Sequence, residues 1–270
     1  MAMASRNYRG GSYGSSGSRF QFGGGGPLTP GLKFLLISIV SVFVAEYLVS
    51  LEFGTKGSTW LLKWFGLIPA AAVFLGRIWQ PFTYIFLHSL DDLLHIILNM
   101  FVLWSFGRML EPVWGTRRFL NYFFICGVGA GLVNVAAGIL PMAWHHAPSY
   151  VPTIGASGAI YGVLIACAIL FPDRQAYIFP LPIAISMRWL VAIMAGFEFF
   201  SEFRSSGDNV SHISHLGGML IGYLYLRRGS FFSGARNEIS DWKRKRNMRK
   251  FQVYMKKKSG DPPPPNRWVN

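Results

Sequence analysis

Charged side chains are scarce in this sequence, at 14% of its 270 residues against the roughly 25% usual in soluble domains. Acids are scarcest, 12 Asp and Glu against 26 Lys and Arg. Nine of those acids and ten of the basic residues fall between residues 31 and 226, so that stretch is nearly neutral and the net charge of +14 belongs to the two ends. A soluble domain needs a charged surface and a nucleic-acid reader needs a basic patch. The central stretch offers neither, so no nucleic-acid partner is expected. Only two cysteines are present, Cys126 and Cys167, each inside an apolar run, which excludes a disulfide framework and a cysteine-based zinc site. No carboxylate stands at ligand spacing from the histidines, so neither a metal nor a cofactor is expected.

What is plentiful is apolar: hydrophobic residues make up 51% of the chain, and its mean hydropathy is +0.33. Six runs are long enough, or nearly so, to cross a bilayer as helices. They lie near Gly31–Leu51, Leu93–Leu110, Phe119–Leu140, Gly155–Phe171, Ile185–Phe203 and Val210–Leu226. The expectation is an all-α integral membrane protein with a six-helix domain over residues 31–228. A Gly/Ser-rich flexible tail (1–30) precedes it and a basic tail (229–270) follows. The first tail also has the acid-free composition of a transit peptide, although Gly23–Pro27 would break an amphipathic helix. The fourth and sixth runs are the shortest and are rich in glycine. A short span makes sense if its outer end starts below the surface, in a cavity lined by protein.

Lys and Arg set the orientation. With the N-terminus inside, only Lys56, Lys63, Arg77 and Arg204 of the 26 fall on outer segments, so both termini are expected to be cytoplasmic. The first outer loop, about residues 52–92, carries Trp60, Trp64, Trp79 and Tyr84 and suits the headgroup layer. In the tail, Asp241–Lys258 places Met248, Phe251 and Met255 at helical spacing among basic residues, a pattern suited to anionic lipid, and Pro262–Pro265 forms a stiff segment after it.

In this topology the second, fourth and sixth spans all enter from the outside. Near their outer starts stand His95 and Asn99, then Ser157, then His212 and His215. Polar groups are expensive at that depth, and these converge on one layer. Ser157 alone, among glycines, reads as a packing residue. However, Gly158 and Gly162 form one face of small residues and Gly218 and Gly222 another, with His215 on the same side as the second pair. Docking those faces brings His215 to Ser157, a nucleophile beside a general base. Unpaired N–H groups at the helix start, with His95 and Asn99 one turn apart, are suited to an oxyanion. Tyr161 lies one turn below Ser157, placed to pack on the His215 ring or simply to fill the core. His212 reads as structural, and Glu198 and Glu202 as hydrogen-bonding groups facing a cavity or, less simply, a proton path.

Three motifs in this order, His95-x-x-x-Asn99, Gly155-x-Ser157-Gly158 and His215-Leu-Gly-Gly218-x-x-x-Gly222, resemble the rhomboid family of intramembrane serine proteases. Gly107-x-x-x-Glu111-x-x-Trp114-Gly115 resembles it as well. The resemblance implies a Ser157–His215 dyad without a third acid. It also implies an oxyanion site from His95, Asn99 and the Ser157 N–H, with Tyr161 packed on His215. The substrates it implies are single-span membrane proteins, cut near the outer face where the helix is weak. The chain departs from many relatives in having Trp79-Gln80 in place of Trp-Arg, and in its Asp91-Asp92 pair. Competing expectations are a protein of this fold that binds membrane helices without cutting them and, more distantly, a transporter. A bacterial inner membrane is the expected setting.

Overall fold

The structure is a computed structural model that describes residues 28–178, 183–204 and 212–228. The N-terminal tail, the Asp241–Lys258 stretch and Pro262–Pro265 lie outside the described residues.

Among the described residues, eight α-helices follow in order. They are α1 (Pro30–Phe65), α2 (Pro69–Phe74), α3 (Gln80–Thr83), α4 (Leu93–Trp114), α5 (Thr116–Ile139), α6 (Ser157–Leu170), α7 (Met187–Arg204) and α8 (212–228). Three helical stretches among the described residues are long and apolar enough to cross a membrane: Pro30–Phe65, Leu93–Trp114 and Thr116–Trp144, the last including a 3-10 turn. Helix α6 is apolar but only 14 residues long. Large apolar side chains lie exposed along the outer faces of the helices, among them Phe34, Leu51, Leu98, Trp189 and Phe197. In water such a surface would drive aggregation, whereas in lipid it is ordinary. This is an integral membrane protein.

Two features depart from the sequence reading. Residues 55–65, expected in a loop, are helical and continue α1 beyond a break at Gly54, whose φ of +60° only glycine adopts readily. A purely helical chain was also expected, but β1 (Gln175–Ile178) and β2 (Ile183–Ser186) form a two-stranded antiparallel hairpin between α6 and α7. Its strands are only four residues each, too short for a periodicity signal to separate from a turn.

The core sits around α5 and α6, on Phe119, Tyr122, Phe123, Cys126, Val163 and Leu164, all buried. Glycines set how closely the helices meet. A Cβ on Gly218 would lie 1.9 Å from the carbonyl oxygen of Gly158, and one on Gly162 would lie 2.5 Å from Cys126 Cβ. Helices α6 and α8 therefore touch backbone to backbone, as their small-residue faces suggest. Opposite the Ser157 end, the Glu111 carboxylate closes the start of α1. It accepts from the Gly31 and Leu32 N–H groups (2.7 Å each), Thr29 Oγ1 (2.5 Å) and Thr116 Oγ1 (2.6 Å). Those N–H groups belong to a helix start and have no intrahelical partner.

Candidate active site

Ser157 is the first residue of α6, and three restraints hold it there. Before it, Gly155 takes a φ of +117°, which turns the chain sharply into the helix, and its N–H donates to the Tyr84 carbonyl at 2.9 Å. Further back, Thr153 and Leu67 exchange backbone hydrogen bonds of 2.8 and 2.9 Å, an isolated antiparallel bridge that ties this approach to the segment after α1. Tyr84 is in turn fixed by its hydroxyl, which donates to the Gly127 carbonyl of α5 at 2.7 Å.

The loop carrying Tyr84 is itself anchored through buried polar contacts. Gln80 donates from Nε2 to the Lys63 carbonyl (3.1 Å) and accepts the Ile68 N–H on Oε1 (3.1 Å). Arg77 donates to the same Lys63 carbonyl at 2.5 Å and lies 4.6 Å above the Trp64 ring. The loop thus has an amide anchor at Gln80 and a cation nearby at Arg77. Asp92, from the unexpected acidic pair, caps α4 by accepting the Leu94 N–H at 3.0 Å.

His215, on the face of α8 that meets α6, has Nε2 2.7 Å from Ser157 Oγ. The Tyr161 ring stacks on the His215 ring, with centroids 4.4 Å apart and planes 17° from parallel. His95 and Asn99 lie on α4 beside the same glycine turn. A Cβ on Gly155 would sit 2.8 Å from His95 Nε2 and 3.8 Å from Asn99 Nδ2. Asn99 is buried, and its Nδ2 has no hydrogen-bond partner among the described residues. The structure places Ser157, His215, His95, Asn99, Tyr161, Gly155 and Gly158 in one neighbourhood, whereas the Glu202 side chain lies outside the described residues. A serine hydroxyl at a helix start thus meets an imidazole beside a buried amide, groups whose chemistry could serve acyl transfer.

Glu198, expected as a hydrogen-bonding group, has partners that a reading along the chain does not give. Glu198, buried on α7, accepts from the Tyr161 hydroxyl, and its Oε2 lies 2.5 Å from His212 Nδ1. The same oxygen is 3.0 Å from His215 Nδ1, within ion-pair range but off the line of a formed hydrogen bond, so Nδ1 counts as unpartnered. Ligand atoms of Glu198, His212 and His215 all fall within 4.8 Å of one another. This corrects the expectation that no carboxylate is placed to share a metal with the histidines. Glu198 is 14 residues from His212, and only the packing of α7 on its neighbours brings them together. The sequence signal was a carboxylate within an apolar helix, a costly feature that calls for partners.

Comparison with known proteins gives this geometry a family. The rhomboid domain model matches residues 75–229, more than half of the chain. The chain belongs to the rhomboid family. Among its curated relatives, this rhomboid is 28% identical over 191 residues to rhomboid protease GluP of Bacillus subtilis, covering 70% of this chain and 32% of that protein. It is 29% identical over 148 residues to the mitochondrial presenilin-associated rhomboid-like protein of Rattus norvegicus (51% and 35% covered). Rhomboid protein 1, mitochondrial, of Saccharomyces cerevisiae is 29% identical over 143 residues (51% and 38%). The matches thus span about a third of the length of these relatives. Mitochondrial proteins match this rhomboid alongside a bacterial one, so the expected bacterial inner membrane gives way to the broader statement of an integral membrane protein.

Proposed function

We propose that this rhomboid is an intramembrane serine endopeptidase. The observation that carries the proposal is the 2.7 Å contact between His215 Nε2 and Ser157 Oγ at the start of a short apolar helix. Six spans are proposed, α1, α4, α5, α6, α7 and α8, with both ends of the chain on the face opposite the site. Its substrates are single-span membrane proteins whose helix unwinds near the outer face. A helix intact in lipid hides its peptide bonds, so local unwinding must precede attack.

In the reaction Ser157 Oγ attacks the scissile carbonyl carbon while its proton passes to His215 Nε2. The Ser157 N–H, Asn99 Nδ2 and His95 donate to the developing oxyanion. Collapse breaks the C–N bond, and His215 returns the proton to the leaving amine. A water deprotonated by His215 then attacks the acyl ester, and its collapse restores Ser157. Tyr161 keeps the imidazole flat against its face throughout. Relatives in the family include a protein named as a protease, which supports the reaction class.

The test is labelling of the purified chain by a fluorophosphonate probe, in detergent and in vesicles, beside Ser157→Ala and His215→Ala. Labelling of the wild type that disappears in both variants is expected. A folded wild type left unlabelled in both settings overturns the proposal in favour of a protein that binds membrane helices without cutting them.

A further inference from the structure

We propose that Glu198 is a positioning residue for the serine–histidine pair, a buried carboxylate that orients His215 and offsets the charge it gains during proton transfer. The inference deepens the protease reading and rests on it for its role in catalysis, although the interaction itself is measurable without any turnover.

Three observations carry it. First, the carboxylate sits where it is expensive: Glu198 is 4% exposed on a helix whose neighbouring side chains are apolar, and such a group persists only with partners. Second, its partners all belong to the site. Oε1 takes the Tyr161 hydroxyl, whose ring stacks on His215, and Oε2 faces both His212 Nδ1 and His215 Nδ1. Third, the contact falls on the ring nitrogen that Ser157 leaves free. With Nε2 directed at Ser157 Oγ, Nδ1 must carry the proton for Nε2 to act as a base. Glu198 Oε2 faces that nitrogen at 3.0 Å. Hydrogen bonds in a resting site are often misaligned and tighten when the reacting complex forms.

The charges around His215 make the direction clear. Helix α6 presents Ser157 and Tyr161, both neutral. Helix α8 contributes His212, which is itself bound to Glu198, and α4 contributes His95, which acts on His215 only as a like charge when protonated. Glu198 from α7 is the one acid among the described residues that faces the ring. Its removal leaves Nδ1 without the carboxylate that faces it and the imidazolium without an anion beside it. Tyr161 and His212 act with it by holding the carboxylate still, and this explains why a tyrosine, a glutamate and two histidines from three helices share one small volume.

The experiment uses the full chain in micelles with 15N-labelled histidine, comparing the wild type with Glu198→Gln, Glu198→Asp and His215→Gln, the last to assign the resonance. Thermal unfolding of each variant reports folding. In folded Glu198→Gln the Nδ1–H proton of His215 should move upfield, as a hydrogen bond to a charged acceptor is replaced by a weaker one to an amide. In parallel, the fluorophosphonate labelling rate at pH 7 should drop tenfold or more. Glu198→Asp should restore part of both effects, and it also provides the reading if the glutamine variant does not fold. An unchanged His215 Nδ1–H signal in a folded variant overturns the proposal, as does an unchanged labelling rate in a wild type that labels. A wild type that does not label defeats the protease reading instead, and the Nδ1–H signal still decides whether Glu198 acts on His215.

Discussion

At Gly155 two constraints coincide. Its φ of +117° is costly for any other residue, and a Cβ there would press on His95 Nε2 at 2.8 Å. Gly155→Ala should therefore abolish probe labelling of Ser157 while most of the helical circular dichroism remains, because the strain falls on the turn and not on a helix. Asn99 is the opposite case. Its buried Nδ2 has no partner among the described residues, so deleting it removes no hydrogen bond from the resting protein. If that amide serves the transition state, Asn99→Ala should lower kcat for a cleaved substrate by about 10²–10³. KM and the unfolding temperature should barely move, and a variant with full kcat would remove Asn99 from the oxyanion site. His88, in the loop before α4, has its pKa lowered from 6.5 to about 4, chiefly by burial and further by the nearby His95, with the Phe86 carbonyl pulling the other way. Below pH 6.5 the unfolded chain takes up a proton that the folded one refuses. Stability from this residue is therefore intact above that pH and is lost as the pH falls towards 4, up to about 3 kcal/mol. Thermal unfolding between pH 7.5 and 4 should show that loss in the wild type and a shallower one in His88→Asn.

At the level of helices, the glycine faces give the sharpest test. Gly218→Ala would drive a methyl carbon to within 1.9 Å of the Gly158 carbonyl oxygen, so α6 and α8 must separate and carry Ser157 away from His215. Overpacking of this kind costs about 1–3 kcal/mol. The site should suffer more than the fold, with labelling below a tenth of wild type in a protein that still unfolds cooperatively. Glu111→Gln makes the contrasting change. It replaces a carboxylate that accepts from four donors by an amide that brings two hydrogens of its own. A loss of about 2–3 kcal/mol in unfolding follows, with labelling unchanged well below the melting temperature, since the cap lies at the other end of α4 from His95. These two helix contacts also mark what the sequence reveals. The His215, Gly218, Gly222 spacing puts histidine and glycines on one side of a helix, and Gly158 and Gly162 mirror it, so the docking of α6 on α8 is legible from local period alone. The partners of Glu198 are not, because the residues it meets lie 37, 14 and 17 positions away and no spacing rule links them. The helical continuation past Gly54 is hidden for a different reason: its aromatic residues satisfy an interfacial loop and a surface helix equally well.

For the whole molecule, the short length of α6 would set the depth of the proposed proteolysis. Fourteen residues rise about 21 Å at about 1.5 Å each, whereas the hydrocarbon layer is about 30 Å thick. With the far end of α6 at the opposite boundary, Ser157 would lie about 10 Å below the outer surface. In the proposed protease water would have to reach it there through a cavity lined by protein, since lipid cannot hydrate an acyl ester. The same depth would select the bond that is cut. Ten ångströms correspond to roughly seven residues of a substrate helix, and the scissile bond should lie within that distance of its outer end. The bond must also leave its helical hydrogen bonds to meet Ser157, so glycine or proline within that stretch should favour cleavage and an unbroken leucine helix should resist it. A series of single-span substrates with a Gly-Pro pair moved inward one residue at a time, reconstituted in vesicles and mapped by mass spectrometry of the products, measures this directly. Cleavage should persist while the pair lies in the first two turns and fall steeply beyond them. Equal cleavage with the pair at the bilayer centre would place Ser157 deeper than α6 allows.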